Sequence, residues 1–203
     1  VQTLVLDEAD RMLDMGFADA IDEVIAHAPA QRQTLLFSAT WPTAIAAISS
    51  RIQREPVTVE TDSVDELPAV EQQFYEVARG GKIRLLQQLL SKYQPASCVV
   101  FCNTKKDCQA VCDALSESRQ SALALHGDME QRDRDRTLVR FANGSSRVLV
   151  ATDVAARGLD IKALEMVINF ELSWDPEVHV HRIGRTARAG ESGLAISFCA
   201  PEE

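Results

Sequence analysis

Asp7, Glu8 and Asp10 stand where an apolar run, Val1 to Leu6, comes to a stop. A branched apolar run ending on an Asp-Glu pair reads as a buried parallel strand. Its carboxylates emerge at the C-terminal edge, where open α/β sheets place their ligands. Carboxylates so placed can hold Mg²⁺ and align a water for attack on a phosphate, or they can simply cap the helix that follows. Ser38 and Thr40 come after a second short apolar run, and their hydroxyls suit a turn as well as a directed hydrogen bond. Arg157 and Asp160 bring opposite charges behind a third run, Val148 to Ala151, which itself leads into Thr152. His181, Arg185 and Arg188 are spaced i, i+4, i+7, so a continuous helix would line them up, with Arg182 on an adjoining line. Guanidinium groups are planar bidentate donors to phosphate, although a basic stripe is more often a solvated face. Gln131 and Arg134, one turn apart, sit among Arg132, Asp133, Asp135 and Arg136, an alternation that also suits a self-paired helix surface. Asn103 and Thr104, behind the run Cys98 to Cys102, are further candidates for phosphate contact.

The elements that must position these residues follow from periodicity and punctuation. The first sixty residues read as the tail of one α/β domain: a helical stretch Phe17 to Ala28, a strand Gln33 to Phe37, a helix opening behind Pro42, and a closing strand Pro56 to Val59. Residues 61–69 are acidic, polar and carry Pro68, which predicts a linker. From residue 70 to 203 strand and helix alternate. Strands are predicted over Gln73–Val77, Cys98–Cys102, Ala122–Leu125, Arg147–Ala151, Met166–Phe170 and Leu194–Cys199. Helices are predicted over Lys82–Tyr93, Lys105–Leu115, Arg132–Phe141 and Glu177–Arg185. Such alternation means a parallel sheet with helices on both faces.

Composition permits nucleic acid without demanding it. The net charge is −9, but residues 1–78 hold 14 acids and 4 bases while residues 79–203 hold 16 acids and 17 bases, so the second part can bear a basic face. No apolar run approaches the ~20 residues of a membrane span, and five cysteines without a secretion signal suit a reducing cytoplasm. Neither Cys98 with Cys102 nor Cys108 with Cys112 has Cys-x-x-Cys spacing, so buried thiols packing as small hydrophobes are the better reading than a metal site.

Five segments in order resemble the later motifs of the DEAD-box RNA helicases. They are Asp7-Glu8-Ala9-Asp10, Ser38-Ala39-Thr40, His126-Gly127 through Gln131 and Arg134, Ala151 through Asp160, and His181 through Arg188. Within that family the likeness is greatest to a bacterial type associated with large-subunit ribosomal RNA. The resemblance covers essentially the whole chain and implies a RecA-like fold, ATP and Mg²⁺ as cofactors, and RNA as partner. It also assigns roles. Asp7 would hold Mg²⁺ through water, Glu8 would orient or deprotonate the attacking water, and Asp10 would tie this motif to neighbouring loops. Ser38 and Thr40 would bond toward the acidic motif and link hydrolysis to domain closure. Arg185 and Arg188 would be arginine fingers, with His181 and Arg182 coupling to the first domain. Asp160 would bond the nucleotide ribose, Arg157 would organise the interdomain cleft, and Thr152, Gln131 and Arg134 would touch the RNA backbone.

One part of an ATPase is missing from these 203 residues. A phosphate-cradling loop needs Gly-x-x-x-x-Gly-Lys-Ser/Thr, whereas Gly81-Lys82 is followed by Ile83 and preceded by Glu76 where the first glycine belongs. The expectation is a piece of an ATP-dependent RNA helicase: residues 1–60 end the first RecA-like domain and 70–203 make the second. Its absent partner is the rest of the first domain. The chain alone would then be inactive, and residues 1–60 would be poorly ordered or self-associated through bare strand edges. The rival expectation is a non-catalytic RNA-binding or interaction module that uses the second domain alone.

Overall fold

The apolar runs Cys98–Cys102, Val148–Thr152 and Met166–Asn169 become strands among the described residues, which are 1–60, 70–156, 164–186 and 193–201 of the computed structural model. The chain divides into two compact units, Val1–Thr61 and Asp62–Glu203. The expected linker 61–69 lies outside the described residues.

In the first unit β1 (Thr3–Leu6) pairs in parallel with β2 (Gln33–Leu36), Thr3 opposite Gln33 and Leu6 opposite Leu36. The predicted helical stretch Phe17 to Ala28 forms α2 (Ala18–His27), and a further short helix not predicted from sequence, α1 (Ala9–Asp14), precedes it. Gly16 between them takes φ 77°, a left-handed turn that only glycine adopts without penalty. Helix α3 (Thr43–Ile52) begins directly behind Pro42, whose fixed φ suits that position. Leu6, Ile21, Ile48 and Ile52 form a small core between sheet and helices. The predicted strand Pro56–Val59 does not form. Its alternation is strand-like, but no described strand pairs with it, and Val57 and Val59 are left 87% and 81% exposed.

The second unit is a six-stranded sheet in the order β3-β8-β7-β4-β6-β5, with every pairing parallel. Its strands are β3 (Val70–Glu76), β4 (Cys98–Cys102), β5 (Ala122–Leu125), β6 (Val148–Thr152), β7 (Met166–Asn169) and β8 (Gly193–Cys199). Between them run α4 (Lys82–Tyr93), α5 (Lys105–Glu117), α6 (Gln131–Ala142), α7 (Asp153–Ala156) and α8 (Pro176–Ile183). Strand β4 shows why its residues read as an unbroken apolar run. Cys98, Val100 and Cys102 pack with Leu86, Val111 and Leu115 of α4 and α5. Val99 and Phe101 pack on the opposite face with Phe141 of α6 and Ala155 of α7. Burying a side chain such as Ile168 completely is worth about 1.5–3 kcal/mol, and every residue of β4, β6 and β7 is buried. The thiols take part in this packing. Burial pushes Cys108 up to about 11, and its Sγ–H donates to the Val150 carbonyl at 3.1 Å.

Helix α8 is shorter than its sequence predicts. Asp175 caps its start by accepting the Glu177 N–H at 2.8 Å, and Pro176 opens the first turn. Its last residue is Ile183, and a Cβ on Gly184 would stand 3.1 Å from the Val180 carbonyl oxygen. His181 and Arg185 therefore do not share one continuous helix. Among the described residues no helix is long and apolar enough to cross a membrane.

Candidate functional site

The first unit brings its two polar loops together because β1 and β2 are parallel and end level. The Phe37 N–H donates to the Leu6 carbonyl at 2.8 Å and the Ala9 N–H to the Phe37 carbonyl at 3.0 Å, so the pairing runs on past the strands. Glu8 then takes φ 52° and ψ 45°, a left-handed conformation uncommon for a residue with a side chain. Asp7 Oδ1 accepts the Glu8 N–H at 2.9 Å, which pins the turn, and the Asp7 side chain stays exposed.

Asp10 behaves differently. It is 5% exposed, and its Oδ2 accepts both the N–H and the hydroxyl of Thr40, each at 2.9 Å. Its Oδ1 accepts the Arg11 N–H at 3.0 Å, and its own N–H donates to Ser38 Oγ at 3.3 Å. Ser38 Oγ in turn donates to the Thr40 carbonyl at 2.7 Å. Burial alone would raise the Asp10 carboxyl. The hydrogen bonds from the Thr40 side chain and backbone, from Arg11 and from Ser38 outweigh it and hold the group below its ordinary range. Asp10, Ser38 and Thr40 thus form one hydrogen-bonded network. The exposed carboxylate of Asp7 is an oxygen donor of the hard type that Mg²⁺ prefers.

In the second unit the polar residues gather at the C-terminal ends of β4, β6 and β7, and Arg182 joins them. It is 2% exposed. Its Nε and Nη2 donate to the two Asp153 carboxylate oxygens, each at 2.7 Å, and Nη2 also donates to Asn103 Oδ1 at 2.8 Å. Nη1 donates to the Glu171 carbonyl at 2.7 Å and reaches Asn169 Oδ1 at 3.5 Å. The guanidinium lies over the Phe101 ring, 5.3 Å from its centre. Arg182 thus donates five hydrogen bonds to residues of the second unit, while the resemblance gives it a coupling role toward the first domain. His181 beside it is exposed on α8.

The remaining expected residues divide in the same way. The Asn103 N–H donates to the Glu171 carboxylate and its Nδ2 to the Leu172 carbonyl, both at 2.8 Å, so its side chain also turns inward. Thr104 is exposed and caps α5 by accepting the Asp107 N–H at 3.1 Å. Gln131 is exposed and donates to Asp135 at 2.7 Å, the self-pairing that sign alternation allows. Arg134 donates to the Ala155 carbonyl at 2.7 Å, which ties α6 to the segment behind β6. Thr152 ends β6 and is buried. Arg185 lies two residues past α8; its N–H donates to the Arg182 carbonyl at 3.2 Å and its carbonyl accepts the Leu164 N–H at 3.1 Å. Arg157, Asp160 and Arg188 lie outside the described residues. Sequence reasoning missed Asp153, Asn169 and Glu171. Asn169 did leave a signal, a fully buried amide closing the apolar strand Met166-Val167-Ile168.

Residues 81–190, more than half of the chain, match the helicase conserved C-terminal domain, and residues 1–48 match the DEAD/DEAH box helicase family. The ATP-dependent RNA helicase DbpA of Escherichia coli K12 is 80% identical over all 203 residues, which cover 44% of that protein. The DEAD-box ATP-dependent RNA helicase CshA of Geobacillus kaustophilus is 45% identical over the whole chain, again with 44% of its length covered. The chain thus spans less than half the length of these curated relatives. Among solved structures, Saccharomyces cerevisiae Dbp5 bound to RNA and ADP BeF3 is similar with a TM-score of 0.87 and 34% identity, covering 98% of this chain and 54% of that one. Level parallel strands, motifs at their ends and likeness on this scale leave one conclusion: the chain belongs to the DEAD-box helicase family and folds as RecA-like α/β structure.

Proposed function

We propose that these 203 residues are part of an ATP-dependent RNA helicase that couples ATP binding and hydrolysis to local separation of RNA duplexes. The observation that carries this reading is the division of labour in the acidic motif. Asp10 is withdrawn into the Ser38–Thr40 loop, while Asp7 and Glu8 are left at the strand end for chemistry. Asp7 would hold Mg²⁺ through water, and the ion would supply charge neutralisation for phosphoryl transfer. Glu8 would align and deprotonate the attacking water. Arg185 and Arg188 would meet the developing charge, Asp160 the ribose, and Arg157 would shape the cleft. His181 would contact the first domain. Thr104, Thr152, Gln131 and Arg134 would hold RNA through its backbone, and such contacts are indifferent to sequence. The setting would be remodelling of ribosomal RNA in the cytoplasm, as the resemblance of the motifs implies.

RNA-stimulated ATP hydrolysis and duplex separation by the full-length gene product test this reading. Glu8→Gln should cost about 10²-fold or more in turnover, the scale of a lost general base. Unchanged turnover in that variant overturns the assignment. The 203 residues alone contain no phosphate loop, which favours the second reading for them: a module that binds RNA without hydrolysing ATP. Their RNA affinity should fall steeply with salt, and tight sequence-selective binding at physiological salt would count against backbone recognition. Among the described residues β1 and β2 pair only with each other, and their outer edges support self-association of the first unit, or docking of the rest of the first domain there.

A further inference from the structure

The Arg182 network does more than fill a polar gap. It joins the ends of β4, β6 and β7 to α8, through Asn103, Asp153, Glu171 and Asn169. Asn169 extends it to β8 by donating to Ser197 Oγ at 2.9 Å. Burying an arginine for stability alone is a poor bargain, because apolar residues of similar volume commonly do as well. A directed, low-dielectric network instead fixes the groups it touches relative to one another. Two of those groups lie next to surfaces with work to do. Asn103 has turned its side chain inward, to Leu172 and Arg182, so the residue left facing out on that loop is Thr104. The Arg182 carbonyl receives the Arg185 N–H, and the Arg185 carbonyl is anchored to Leu164.

We propose that Asn103 and Arg182 are positioning residues that lock the RNA-facing loop behind β4 to the backbone carrying Arg185, coupling RNA contact to phosphoryl transfer within the second unit. This rests on the helicase reading. Asn103 is then no phosphate ligand, and Arg182 acts through Arg185 without reaching another domain.

The test is a double-mutant cycle in the full-length protein. Asn103→Ala, Arg182→Lys and the pair are compared for RNA-stimulated kcat, for the RNA concentration giving half-maximal rate, and for folding by circular dichroism at the assay temperature. Each single variant should lower kcat at saturating RNA about tenfold while half-saturation moves less than about threefold. The pair should be no worse than the weaker single by more than about threefold, because both break one network. Gln131→Ala, outside the network, should instead multiply with Arg182→Lys. Should Arg182→Lys fail to fold, Asp153→Asn takes its place with the same expected result. Three outcomes overturn the proposal: Asn103→Ala acting on half-saturation with kcat intact, effects of the network pair that multiply, or activity that merely tracks the folded fraction. Loss of ATP hydrolysis in the unmutated protein would instead overturn the helicase reading beneath it.

Discussion

Both units set polar residues at the C-terminal ends of parallel strands, yet they hold them by opposite means. The first unit uses two strands, a core cluster of four buried apolar side chains, and a carboxylate that takes its bonds from a neighbouring loop. The second uses six strands, and the charge at the centre of its network is an arginine shut away beneath the sheet's edge. Asp10 is a short side chain on a thin scaffold, and one loop satisfies it. Arg182 is long, so it can reach three strand ends at once, but only a thick sheet can enclose it. Within these 203 residues the Asp10 site is held by local hydrogen bonds, and the Arg182 site by the ends of a six-stranded sheet.

Three experiments break or sharpen that contrast. The largest effect should follow from Ile168→Ala at the centre of β7, which should cost about 2–5 kcal/mol in denaturant unfolding. Hydrogen exchange should then show amides of β1 and β2 opening well below the free energy that protects β4, β6 and β7. Equal protection in both units would remove the contrast altogether. Next in size is Thr40→Val, which deletes one donor to Asp10 and should cost the first unit about 1–2 kcal/mol. The Asp10 carboxyl lies below 3.8 when folded, so on acidification the unfolded chain takes up the proton first. The contribution is complete above 3.8 and disappears as pH falls through the lower folded value; Thr40→Val should move the carbon-detected NMR midpoint of Asp10 upward. A midpoint that does not move would mean that Thr40 is not what holds the group. The smallest effect belongs to the exposed pair Arg51–Asp22, which ties α3 to α2. Arg51→Ala should change stability by less than about 1 kcal/mol, and a larger loss would mean that surface charge compensates for the small core.

Much of this was legible from residue order, for reasons that also explain the misses. Lys82–Tyr93 and Cys98–Cys102 have the predicted bounds because burial alone decides them. Pro56–Val59 carries the same local signal, but a strand exists only where an edge receives it. The arginine stripe failed at one residue, Gly184, whose lack of a side chain lets the chain turn away after Ile183. The Asp10–Thr40 pairing was expected from resemblance. The inward turn of Asn103 was not, since its partner Arg182 lies 79 residues away and no local pattern encodes that meeting.

Strand β3 has a consequence for how the protein is made. It pairs along its whole length with β8, Val70 opposite Gly193 and Glu76 opposite Cys199. The first strand of the second sheet to leave the ribosome must therefore wait for the last. At cellular synthesis rates that delay is on the order of ten seconds, during which β4, β5, β6 and β7 can already find one another. A ribosome paused before residue 193 would hold a nearly complete sheet whose opening strand has no place to go. Strand β8 is thus the piece that closes this sheet in synthesis as well as in the fold, and termination before residue 193 would leave β3 without the strand it pairs with.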